Sequence, residues 1–163
     1  MFRAICLSLI GFGTICGVAR AHHFAIDLVA ESGGKGQTAN AETLAAGVKA
    51  KTRAVLHVKA GARVKVKWTV TNSHAKDSFK DVLVHFFVVK EDQVGQQVVP
   101  KLGKGVIVES ALTMDFRPGD KTRGELTFTI DVPGAYLLRL ETIGAAIEPD
   151  AHEHYATLDL AVE

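Results

Sequence analysis

Cysteine is nearly absent: of 163 residues only Cys6 and Cys16 are cysteine, and both fall within the first 21 positions. Beyond them the chain can form neither a disulfide nor a thiolate metal site, which excludes a blue-copper centre. A basic surplus is missing too, with 19 Lys and Arg against 18 Asp and Glu. Nothing is available to displace the counterions of a nucleic acid, which argues against such a partner. One Trp and two Tyr leave few rings for stacking on sugars. No interior stretch is apolar for long enough to span a membrane.

The first 21 residues read as a signal peptide. Arg3 gives a positive start, Ile5 to Val18 an apolar run interrupted by Gly, and Ala19-Arg20-Ala21 the small residues of an A-x-A cleavage site. The residues before Cys16, Gly13-Thr14-Ile15, do not form a lipoprotein site. This predicts an exported protein, periplasmic or secreted, whose residues 22–163 make one domain large enough for a core of its own. Arg3 and Arg20 would leave with the peptide, and all seven histidines would stay. Cleavage after Ala21 makes His22 the first residue, whose amine and imidazole can chelate one ion together. Cleavage after Ala19 would put Arg20 there instead.

Period-two alternation dominates the remainder. Leu56 and Val58, then Val64, Val66, Trp68 and Val70, are separated by polar or basic residues, as in strands with one buried face. Further strands are predicted from Phe24 to Val29, Val82 to Val89, Leu112 to Phe116, Glu125 to Ile130, Tyr136 to Glu141 and His154 to Val162. Ala60-Gly61, Asn72-Ser73, Arg117-Pro118-Gly119-Asp120 and Val132-Pro133-Gly134 supply the reversals. About seven to nine short strands at this spacing predict an all-β, antiparallel sandwich of immunoglobulin-like or cupredoxin-like type. Val82 to Val89 is apolar on both faces and reads as a central strand covered on both sides. Two long connections, Ser32 to Lys51 with a short helix over Ala41 to Ala46, and Glu91 to Gly105, interrupt the pattern.

The histidines carry the chemistry. His22 shares its strand face with Phe24, Ile26 and Leu28, and His152 and His154 share theirs with Leu158, Leu160 and Val162. Parallel pairing of the first strand with the last, common in immunoglobulin-like sandwiches, would bring His22, His152 and His154 together. Asp150 and Glu153 offer oxygens nearby. His85, on the face of Leu83 and Phe87, is a further candidate ligand. An amine with two or three imidazoles suits copper(II) first, then nickel or zinc. A His-x-His pair in an acidic turn can equally be a solvated loop, and His85 a hydrogen-bonded strand residue. His57 and His74 read as surface and loop positions outside the site.

A mature N-terminal histidine with an Asp-x-His before the last strand, here His22 and Asp150-Ala151-His152, resembles the CopC-like periplasmic copper-binding proteins. The resemblance implies a β-sandwich that holds copper(II) in a brace of His22, Asp150 and His152, with His154 an additional candidate.

Three functions fit these features. One is an exported copper(II) carrier or chaperone, partnered by the metal ion and by an exported or membrane protein. Another is an immunoglobulin-like interaction or accessory domain without metal, using exposed strand edges and the Glu91 to Gly105 connection. The third is a copper-dependent oxygenase with Tyr155 as axial aromatic. The scarcity of surface aromatics weighs against catalysis, and no spacing sets up a nucleophile triad or phosphate loop.

Overall fold

A computed structural model describes residues 23–41, 52–96, 103, 105–144 and 154–163. Nine strands run through them: β1 (Phe24–Ser32), β2 (Lys35–Asn40), β3 (Ala54–Val58), β4 (Arg63–Asn72), β5 (Phe79–Glu91), β6 (Val106–Phe116), β7 (Lys121–Thr129), β8 (Gly134–Gly144) and β9 (His154–Val162). They form two sheets, ordered β2-β1-β4-β7 and β3-β9-β8-β5-β6. The expected all-β sandwich is present. Every pairing is antiparallel except β3 with β9, which is parallel, Ala54 lying opposite Leu158 and Val58 opposite Val162.

Alternation builds the core. Phe24, Ile26, Leu28 and Ala30 of β1 with Val64, Val66 and Val70 of β4 line one inner face. Tyr136, Leu138 and Leu140 of β8 with Ala156, Leu158 and Leu160 of β9 line the other, and all are buried. Side chains two apart share a face, so one row per strand suffices to fill the space between the sheets. β5 has the predicted two covered faces: Val82, Val84, Phe86 and Val88 enter the main core, while Phe87 and Val89 join Leu137 in a second apolar cluster outside it. At the start of β8 the Tyr136 hydroxyl donates to the Val132 carbonyl (2.8 Å) across the Val132-Pro133-Gly134 turn. Burial raises the pKa of that phenol above its ordinary value, because the charged phenolate loses its solvation.

Two expectations are corrected. The first strand does not pair with the last: β1 sits between β2 and β4, β9 between β3 and β8, in opposite sheets. The parallel neighbour of β9 is β3. The connection after Ser32 is also shorter than expected, because Gly33 and Gly34, both at positive φ, turn the chain into β2, which pairs with β1 from Ser32↔Lys35 to Asp27↔Asn40. Glycine adopts that backbone region without steric cost. β2 escapes the pattern because KGQTAN carries almost no apolar residues. The helix predicted over Ala41 to Ala46 lies, past Ala41, outside the described residues.

The sheets close on one flank, where β2 packs on β3 and β9. They end on the other flank in β6 and β7. There Trp68 lies over Gly124, its cross-strand partner. A Cβ on Gly124 would stand 2.1 Å from Trp68 Cζ2, so only glycine admits the ring.

Candidate functional site

The end of the sandwich where β1 and β9 begin gathers three imidazoles, and Asn72 organises it. Phe24 pairs with Asn72 across β1 and β4, and one residue earlier the His23 carbonyl accepts from the Ser73 amide (2.8 Å). Asn72 is 1% exposed. Its Nδ2 donates to the Asp77 carbonyl (2.9 Å) and its Oδ1 accepts from the His74 amide (3.0 Å). A buried amide satisfied at both ends fixes the loop it spans. The loop therefore folds back over His23, with ring centroids of His23 and His74 5.4 Å apart. The Asp77 amide donates to His74 Nδ1 (3.0 Å), and an Asp77 carboxylate oxygen lies 3.1 Å from the same nitrogen.

His154 arrives from the opposite sheet. It is the first residue of β9, opposite Thr142 of β8, and is 1% exposed. Its ring meets His23 edge to face with centroids 5.9 Å apart, and Phe24 at 6.1 Å. Phe79 packs on His23 at 5.1 Å and on Phe24 at 5.3 Å, so the imidazoles have an aromatic wall. Among the described residues no group of three or more His, Cys, Asp or Glu is arranged to hold a metal ion by itself. His22, Asp150 and His152 lie outside the described residues.

The structure does not bring His85 to this group. His85 alternates with Val84 and Phe86, which face the core, so it lies on the other face of the five-stranded sheet from His154. It is 7% exposed, with Nδ1 3.1 Å from Glu141 Oε1 and Nε2 2.9 Å from Glu109 Oε1. Arg139 Nε donates to the other Glu141 oxygen (2.5 Å). Tyr155 is on that outer face as well, with the Arg139 guanidinium carbon 4.0 Å from its ring centroid. One residue after His154, it points away from the candidate site. His57 is exposed, as expected, 3.7 Å from a Glu163 oxygen.

A second buried polar group was not foreseen. Arg53 pairs with Glu91 Oε2 (2.9 Å) and Asp159 Oδ1 (2.8 Å), both carboxylates having no exposed side-chain surface. Asp159 Oδ2 also accepts from the Gly95 amide (2.6 Å), and Arg53 donates to the Gln96 carbonyl (2.5 Å). This ties the chain after β5 to β9. Burial raises the carboxyl of Glu91, against the opposing pull of Arg53. It raises that of Asp159 against the Gly95 hydrogen bond and Arg53. A cavity of about 450 Å³ lies by Trp68 and Gly124 and is lined by none of the histidines.

His74 lies in a loop, as its sequence context predicts, but its packing on His23 is not legible there, since a loop histidine gives no sign of what it folds against. The usable signal was Asn72-Ser73 directly before it, turn chemistry that returns the chain to the strand end.

No protein-family profile matches the chain, and no curated protein matches it by sequence. Solved structures resemble it distantly. The C-terminal domain of wzt is 12% identical with a TM-score of 0.48, covering 88% of this chain and 75% of that one. The PmoD soluble domain from Methylocystis sp. ATCC 49242 (Rockwell) is 13% identical, with a TM-score of 0.40 and coverages of 66% and 77%. A chitin binding domain from Burkholderia pseudomallei is 14% identical, with a TM-score of 0.42 and coverages of 68% and 57%. Nothing about the function of this chain follows from likeness at that level. Among the described residues no helix is long and apolar enough to cross a membrane.

Proposed function

We propose that this chain is an exported β-sandwich that binds copper(II) at the end where β1 and β9 begin, acting as a carrier or chaperone. The observation behind this reading is the contact of His23 with His154 across the two sheets. His22 directly precedes His23 in the sequence, and His152 stands two residues before His154. The ligands in this reading are the amine and imidazole of His22 with Asp150, His152 and His154. A nitrogen-rich set with one carboxylate favours copper(II) on the general affinity order. His85 takes no part, because the sheet separates it from His154. An oxygenase finds less support, since Tyr155 faces Arg139.

The test is a copper(II) titration, followed by electron paramagnetic resonance, of the protein beginning at His22 beside the same protein with one extra residue in front. Tight binding with a nitrogen-rich signal, lost on extension, is the expected result. Equal weak binding by both would overturn the copper reading and leave the interaction domain in its place.

A further inference from the structure

We infer that the flank formed by β6 and β7 is an interface between two copies of this chain, each β6 pairing antiparallel with the β7 of the other copy. Both strands are edges of their sheets. β6 runs for 11 residues, VIVESALTMDF, without the Lys or Pro that often blunt a natural edge, its only charges being Glu109 and Asp115. The edge strand β3 is only 5 residues long and β2 only 6. From Val82↔Met114 to Val88↔Val108 the β5–β6 ladder has no register shift, so β6 presents a regular edge. Its core-facing row is only partly covered: Val108 and Met114 are half-buried, Ser110 is exposed and Leu112 is 52% exposed. Across the gap, Trp68, Leu126 and Phe128 are half-buried although they face the core.

Charge identifies the occupant. β6 carries Glu109 and Asp115 with no basic residue, whereas β7 carries Lys121 and Arg123 with Glu125. Pairing β6 with its own counterpart would put four carboxylates on one seam with no cation, and like charges across a ladder are destabilising. Pairing β6 with β7 sets acid against base. The Arg117–Asp120 turn, closed by Asp120 N donating to the Arg117 carbonyl (3.0 Å), reverses the chain, so β6 and β7 of one copy run oppositely. A two-fold axis along the strands then makes both new seams antiparallel at once, a closed and self-complementary arrangement. With Asp115 opposite Lys121 of the second copy, Thr113 falls opposite Arg123, Leu112 opposite Gly124 beside the Trp68 ring, and Val108 opposite Phe128. The open apolar row of each copy is covered by the other.

The test is the solution mass of the full chain by sedimentation equilibrium, with two variants. The wild type is expected to dimerise, and Leu112→Lys to raise the dimer dissociation constant about tenfold or more, because each seam would bury an unpaired ammonium. In a chain whose Cys6 and Cys16 are serine, Thr113→Cys with Arg123→Cys is expected to give an oxidised, covalent dimer. Facing Cα atoms at about 4.5–5.5 Å suit a disulfide. Thr113→Cys alone is expected to stay uncrosslinked. A wild type that remains monomeric at every concentration, a dimer indifferent to Leu112→Lys, or cross-linking by Thr113→Cys alone would each overturn the proposal.

Discussion

His23 and His154 belong to opposite sheets, yet their rings meet edge to face with centroids 5.9 Å apart at an interplanar angle of 79°. The contact joins the start of the first strand to the start of the last without a ladder between them. Phe24 extends it inward, against His154 and Phe116, so the imidazoles sit on the rim of the main core.

Asn72 holds this rim. Asn72→Ala removes two side-chain hydrogen bonds at a buried position and leaves the Asp77 carbonyl and His74 amide to find new partners. The expected cost is about 2 kcal/mol, read as a lower midpoint in urea unfolding. Faster amide exchange over residues 73–78 than elsewhere should accompany it, and a uniform change along the chain would contradict the role given to Asn72.

Gly124→Ala places a methyl where the Trp68 ring lies. The ring must leave or β7 must shift, at about 1–3 kcal/mol. Trp68 is the only tryptophan, so its fluorescence reports the displacement directly. The emission maximum should move to the red, and an unchanged spectrum with unchanged stability would refute the close packing.

His85→Ala separates structure from metal chemistry. It leaves Glu141 buried with Arg139 alone and removes a partner of Glu109, for an expected loss of about 2–3 kcal/mol in urea unfolding. On the proposed copper(II) reading, the affinity of this variant under native conditions should equal that of the wild type. A large fall in affinity would return His85 to the ligand set.

Glu91 and Asp159 both hold their protons to higher pH in the folded protein than in the unfolded chain, chiefly through burial. Between the ordinary carboxylate value of about 4 and the raised folded value, the native state binds more protons than the unfolded one. Stability from these groups is therefore fully present on the acid side of that window and lost as pH rises through it. Asp159→Asn should remove its share. Wild type minus variant stability, from urea midpoints taken at several pH values, should decline from mildly acidic toward neutral pH, whereas parallel profiles would show that Asp159 does not titrate this way.

Alternation in the sequence determined most of the strands and the face that each buries. His154 to Val162 was read at its observed limits, and the doubly apolar Val82 to Val89 lies inside a strand covered on both sides. These are local properties: a period of two fixes direction relative to the sheet whatever the neighbour. β2 was illegible because KGQTAN has no apolar row, its place being set by pairing with β1. Which histidines meet was decided by the tertiary structure alone. Alternation leaves open which face of its strand His85 shares with the core, and the sheet order puts it on the face opposite His154. His74, read as an outlying loop residue, came to His23 because Asn72 and Ser73 folded its loop back. Partners distant along the chain are chosen by the topology that buries all the apolar rows at once, and no single segment carries that information.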